Sequence, residues 1–208
     1  MPRDTLMRNA LLDDRPKGEL VGVANEALML LYAKGDPEAA RLLTLRLLPQ
    51  VLGYATRVLG NRTEAEDVAQ EAMLRLWQVA PAWRQDEAKV STWLYRVVAN
   101  LCTDRLRQGR RRRADALDEV PELSDPSPGA ERALMARDRM AALQAGLDSL
   151  PERQRQAVVL RHIEGLNNPE IAVILEIGVE AVESLTARGK RALAQALAGL
   201  KPVLGYEE

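Results

Sequence analysis

Apolar residues fall at helical spacing in one stretch of the chain after another. Leu20, Val23, Ala27, Leu30 and Leu31 mark a helix over Glu19 to Leu31, which Lys34 and Gly35 close. Asp36 with Pro37 opens the next, a cap acceptor ahead of a residue whose missing N–H costs nothing at a helix start. That helix runs through Leu42, Leu43, Leu47, Val51 and Leu52 to Leu59 and Gly60, and Pro49 within it is expected to remove one backbone bond and bend it. Ala65, Val68, Ala69, Ala72 and Leu76 make the inward face of a third helix, with Thr63-Glu64-Ala65-Glu66 predicted as its capping box. Val79 to Ser91 reads as a loop, and Thr92 to Arg107 as a helix burying Leu94, Val97, Val98 and Leu101.

The pattern resumes between Asp148 and Leu200. Leu150, Val158, Val159 and Ile163 form one apolar face, Ile171, Ala172 and Leu175 a second, and Val182, Leu185, Leu193 and Leu197 a third. Ser149 to Glu152 reads as a capping box, and Asn168 before Pro169 as a second cap. Only Glu176, Ile177 and Gly178 separate the last two helices. So tight a turn forces a steep crossing, the helix-turn-helix arrangement that offers its last helix to a major groove.

Composition narrows the architecture. Of the 208 residues 47% are apolar, enough for real cores, while aromatics are only 3%, which favours packed helices over a β-sandwich. The fold expected is all-α: two small helical domains joined by a flexible acidic linker. Residues 1–18 read as a loose extension, 19–113 as the first domain, 114–130 as the linker and 131–202 as the second domain. The linker mixes Pro121, Pro126 and Pro128 with Asp115, Asp118, Glu119, Glu122 and Asp125. Extended at roughly 3.3 Å per residue it reaches about 50 Å, beyond one DNA turn of about 34–36 Å.

The net charge of −1 hides a local basic footprint: Arg105, Arg107, Arg110, Arg111, Arg112 and Arg113 crowd one stretch. Four consecutive arginines exceed what a helix C-terminus requires, so phosphate contact is the reading, with a steep salt dependence. Arg96, Asn100, Thr103 and Arg107 recur along one helix face, where guanidinium groups hold phosphate and amides pair with base edges. Trp93 and Tyr95 serve either a base-stacking platform or the core. Asp67, Gln70, Glu71 and Gln78 make a polar face that is either solvated or partner-binding. Cys102 and His162, each single, exclude an internal disulfide and make a metal site improbable; Cys102 is expected to be buried. Neither a bilayer-length apolar run nor a signal peptide is present, so a cytoplasmic location without membrane insertion is expected. No cofactor and no catalytic constellation is predicted.

Three stretches carry a resemblance. LPERQRQAVVLRHIEGLNNPEIAVILEIGVEAVESLTARGKRAL resembles the promoter-binding C-terminal domain of extracytoplasmic-function sigma factors of the sigma-70 superfamily. EAEDVAQEAMLRLW resembles their helix for core RNA polymerase, and VSTWLYRVVANLCTDRLR their −10 element helix. The resemblance implies an alternative sigma factor, monomeric when free, that binds core RNA polymerase and promoter DNA and is held by an anti-sigma factor. It implies polymerase contact by Asp67, Gln70 and Glu71, and −10 DNA contact by Trp83, Arg96, Asn100, Thr103, Arg107 and the arginines from Arg110 to Arg113. The −35 contacts implied are Arg161, Glu183, Ser184, Ala187, Arg188, Lys190 and Arg191. Glu176 stands where the family often has Gly, and Glu183 where it often has a basic residue. A dimeric operator-binding regulator and a helical docking protein are the other readings of the same residues.

Overall fold

The computed structural model describes residues 20, 22–84, 89–115 and 131–198, with 113–115 and 131–137 placed as helical backbone only. The regular elements described are all helical: α1 (Asn25–Ala33), α2 (Pro37–Leu59), α3 (Arg62–Val79), a 3-10 turn (Ala80–Ala82), α4 (Val90–Asp115), α5 (Glu131–Asp148), α6 (Glu152–Val158) running into a π-helical turn (Val159–Ile163), α7 (Asn168–Leu175) and α8 (Val179–Ala198). The expected extension at 1–18 lies outside the described residues, as does the linker except at 114 and 115, which continue α4.

α1 to α4 enclose the first core, in which Leu28, Met29, Leu43, Leu47, Val51, Tyr54, Leu76 and Leu94 are fully buried. Each such aliphatic side chain contributes about 1.5–3 kcal/mol. α5 to α8 surround the continuation of that core, built on Leu147, Val159, Leu160, Ile171, Ile174 and Val182, so that one apolar cluster runs through both domains. α5 is an element the apolar pattern did not disclose. Its Ala142 and Leu147 are buried but Met140 is 54% exposed, so its apolar residues do not keep to one face.

Local chemistry explains where the helices start, and it corrects several expectations. Asp36 behaves as expected, its carboxylate accepting from the N–H groups of Glu38 at 3.0 Å and Ala39 at 3.2 Å. α1, however, begins at Asn25; ahead of it the Val23 N–H donates to the Leu20 carbonyl at 3.1 Å. α2 continues through Pro49 and stops at Gly60, which is left-handed at φ 69°. That stop leaves Asn61 extended, and Asn61 rather than Thr63 caps α3 by accepting from the Glu64 N–H at 3.0 Å. α4 starts two residues before Thr92, because Glu26 of α1 accepts from the Val90 N–H at 3.0 Å and so caps it from a neighbouring helix.

In the second domain Ser149 caps nothing. Its hydroxyl turns back to the Gly146 carbonyl at 2.7 Å, and α6 begins after Pro151 without a side-chain cap. The α7 capping box belongs to Asn167, one residue before the expected Asn168, with Glu170 reciprocating at 3.1 Å. Ile163 is 36% exposed instead of core, since the wider π winding turns it off the apolar face. Gly189 sets the approach of α8 to α6: a Cβ there would lie 2.6 Å from Val158 Cγ2.

The two domains touch. α4 lies against α7, and the C-terminal end of α2 meets α5 and α6.

Candidate nucleic-acid interface

Four surfaces carry the residues singled out by the sequence. On α3, Asp67 and Gln70 are exposed and Glu71 is half-buried. Glu71 pairs with Arg75 at 2.9 Å, and Asp67 lies 3.8 Å from Arg105 of α4, both in solvent where such pairs contribute about 0–1 kcal/mol. The carboxylates therefore remain available to a stronger partner. Beside them opens an apolar groove of about 330 Å³, walled by Leu48, Leu52, Met73, Leu74 and Trp77. Trp77 is braced by Tyr32 at 4.6 Å between ring centroids. The inward apolar spacing does not disclose this groove; its signal in the sequence is Leu74, an apolar residue out of phase with the inward face of α3 and 50% exposed.

Along α4, Asn100 and Arg107 are exposed, and Arg96 and Thr103 are half-buried. Asn100, Thr103 and Arg107 line one wall of a polar cavity of about 420 Å³ whose other wall is Arg153, Gln156, Leu175 and Glu176 of the second domain. Gln156 donates to the Thr103 hydroxyl at 3.0 Å. The arginine run is helical as far as Asp115, with Arg111 and Arg112 exposed and Arg110 donating to Glu152 at 2.8 Å; the Arg113 side chain lies outside the described residues.

The aromatic residues divide. Trp83 is half-buried and packs edge-on against Trp93 at 6.1 Å, its indole N–H buried without a partner. Trp93 is half-buried against the core, while Tyr95 is buried and donates to Glu164 at 2.6 Å. Burial, and then the Glu164 carboxylate, push the Tyr95 phenol well above its usual range. Cys102 is buried, and that burial pushes its thiol up to about 12. Of the loop expected over Val79 to Ser91, residues 85–88 lie outside the described residues; Val79 ends α3, Ala80–Ala82 wind as a 3-10 turn, and Val90 and Ser91 already belong to α4.

The helix-turn-helix consists of α7, the turn Glu176 to Gly178, and α8. Glu176 adopts φ 54°, ψ 48°, the left-handed cap where a side chain is disfavoured and Gly is usual. On α8 the residues Glu183, Ser184, Ala187, Arg188, Lys190 and Arg191 are all exposed, and the first four form a stripe at helical spacing. Asn168 of α7 donates to Glu183 at 3.4 Å, which turns that carboxylate toward the start of α7. Arg188 donates from Nε to the Ser184 carbonyl at 3.3 Å, and Arg161 to the Leu166 carbonyl at 2.9 Å. Burial, with Lys190 and Arg161 nearby, holds the exposed-edge His162 below its ordinary value.

These surfaces occur in the order that a known family uses. Residues 43–112 match Sigma-70 region 2 and residues 140–193 match Sigma-70, region 4. The RNA polymerase sigma-H factor of Pseudomonas aeruginosa is 32% identical over 182 residues, covering 83% of this chain and 93% of that protein. The chain belongs to the extracytoplasmic-function sigma factors of the sigma-70 family. The ECF RNA polymerase sigma-E factor of Escherichia coli K12 is 30% identical over 179 residues, covering 82% of this chain and 93% of its own. Among solved structures, CnrH in complex with the cytosolic domain of CnrY aligns at a TM-score of 0.63 with 26% identity, over 84% of this chain and 97% of that one. The sigma factor RpoE of Bartonella quintana, in complex with the anti-sigma factor NepR, shares the fold at a TM-score of 0.60 with 18% identity, over 74% and 93%. As an extracytoplasmic-function sigma factor, the protein is a DNA-binding factor of transcription initiation. The region 2 match spans α3 and the α4 row through Arg112, and the region 4 match spans the whole α8 stripe. Among the described residues no helix is long and apolar enough to cross a membrane, and no group of His, Cys, Asp and Glu is placed to hold a metal ion.

Proposed function

We propose that this sigma factor docks on core RNA polymerase through Asp67, Gln70 and Glu71, reads a −35 element with α8, and melts and reads a −10 element with α4. The observation that carries this reading is the ordered pair of region 2 and region 4 matches, each containing a row of the side chains that such contacts require, exposed on α8 and exposed or half-buried on α3 and α4. Ser184, Ala187 and Arg188 meet base edges, with Arg161, Lys190 and Arg191 on phosphates. Glu183 accepts from a cytosine amino group, a contact for which its position on the stripe suits it. Asn100 pairs with an unstacked base of the −10 strand while Arg96, Thr103 and Arg107 hold its backbone. Arg110 to Arg113 follow the phosphates, and Trp83 borders the captured base. The sigma factor is not itself an enzyme; polymerase carries out the chemistry. The first domain spans 19–113 and the second 131–202, separate enough along the chain to occupy two promoter elements.

One solved relative is a complex with the anti-sigma factor NepR and another a complex with the cytosolic domain of CnrY, which supports an anti-sigma factor as the natural restraint on this protein in the cytoplasm. The test is a footprint of the polymerase–sigma complex on promoter fragments selected from a random library. Protection at two separate elements supports the reading, and protection of a single palindrome by the free protein would replace it with that of a dimeric operator-binding regulator.

A further inference from the structure

The stripe of α8 carries one residue whose charge a phosphate repels. Glu183 stands in the N-terminal half of the helix, the part that enters a major groove, with Glu180 three residues before it. Its neighbours one turn away, Val179 and Glu180 on one side and Thr186 and Ala187 on the other, offer no cation to neutralise it. The fold supplies an amide from the other helix of the motif instead: Asn168 Nδ2 donates to Glu183 Oε1 at 3.4 Å.

That amide is presented from a fixed backbone. Asn168 is the first residue of α7, half-buried, and Pro169 after it is held near a single φ. The Asn167 carboxamide accepts from the Glu170 N–H at 2.9 Å, and the Glu170 carboxylate accepts from the Asn167 N–H at 3.1 Å. Lys89 holds Glu170 from outside at 2.7 Å, so this first turn has little freedom. An amide donor, unlike Lys or Arg, steers a carboxylate without cancelling its charge. With Oε1 engaged, Oε2 is left as a single acceptor on the stripe that also bears Ser184 and Ala187.

We propose that Asn168 is a positioning residue for base choice: it orients Glu183 so that the pair reads cytosine, and discriminates against adenine, at one base pair of the −35 element. The proposal rests on the assignment of α8 to that element. Cytosine shows its N4 amino donor alone on the major-groove edge, whereas adenine sets the N7 acceptor beside its N6 donor. A carboxylate accepts from either amino group but is repelled by N7, and guanine and thymine offer it no donor there. Asn168 adds to this by ordering the Glu183 side chain before DNA arrives, so that binding does not have to immobilise it.

The test is selection of promoter fragments randomised across the −35 element by the full chain assembled with core RNA polymerase, with sequencing of the bound fraction. The wild type should enrich cytosine at one −35 position by roughly tenfold over each other base. Glu183→Gln should move that position to adenine, because a carboxamide meets N6 and N7 together, and leave the other positions alone. Asn168→Asp keeps the shape of the side chain and suits a helix N-terminus, but it removes the donor and repels Glu183. It should cut the cytosine enrichment to about twofold at that position only, with helicity by circular dichroism unchanged. Asn168→Gln, which restores the donor on a longer arm, should recover part of the enrichment. Full cytosine enrichment in Asn168→Asp, an equal loss at every position, or a Glu183→Gln selection identical to that of the wild type overturns the proposal. Arg188→Ala in the same selection reads the assignment of α8 separately. If it too leaves every −35 position unchanged, the reading of the helix fails and the proposal with it; if it alone alters the selection, only the Asn168–Glu183 pair fails.

Discussion

Glu176 bears the least comfortable backbone in the protein, being the sole non-glycine residue with positive φ among those described. A left-handed L-residue costs about 1–2 kcal/mol, so Glu176→Gly should raise unfolding stability by roughly 1 kcal/mol in urea denaturation. That the chain keeps Glu there fits its position in the wall opposite Asn100 and Arg107. Arg188 makes its one described hydrogen bond back to its own helix, which leaves the other guanidinium nitrogens for a base. Arg188→Ala should weaken −35 binding by about 1–3 kcal/mol in a titration with duplex DNA, leaving the fold unchanged. Cys102, buried with its thiol raised to about 12, should resist alkylation at pH 8 in the native protein and react readily once the chain is unfolded in denaturant. Rapid modification under native conditions would contradict its placement.

At the scale of elements, most of the helices were legible and most of their first residues were not. The inward faces of α2, α3 and α4 followed from apolar spacing because those helices each bury one stripe. The start sites failed because good capping residues are plentiful: Thr63 and Asn61 are both able to cap α3, and the choice fell to the left-handed stop at Gly60. No local signal could have found Glu26 capping α4, since donor and acceptor are 64 residues apart. The recognition stripe of α8 was legible through the resemblance, whereas Arg155 and Gln156 were overlooked. Their signal was two polar residues at the head of the buried run from Ala157 to Leu160. Gly189 was likewise silent until α6 was seen to cross it. Gly189→Ala forces Val158 aside and should destabilise the second domain by about 1–3 kcal/mol, measurable as a lowered denaturation midpoint.

Across the whole molecule, the buried apolar cluster runs through both domains, and polar links such as Lys89–Glu170 at its edge respond to pH. Lys89 chiefly, and then the Asn167 N–H, hold Glu170 below its ordinary value of 4.5. A depressed carboxylate contributes fully above its ordinary value and loses its contribution as pH falls through the lowered one. The Lys89–Glu170 link should thus be intact at neutral pH and weaken as pH falls below about 4.5, measurable as a loss of the stability difference between the wild type and Glu170→Gln in denaturation at low pH. The fold class could be read from the sequence because it depends on local periodicity; the contact between the domains could not, because Arg155 and its acceptor, the Val58 carbonyl, stand 97 residues apart.

The measurement that tests the central claim most directly is run-off transcription with sigma-free core RNA polymerase on a library of promoter fragments. Asp67→Ala/Gln70→Ala/Glu71→Ala serves as the control. The account predicts initiation that depends on the protein, starts at defined sites downstream of paired −35 and −10 elements, and is lost with the triple variant. An absence of initiation with competent polymerase, or transcripts unaffected by the triple variant, would contradict it.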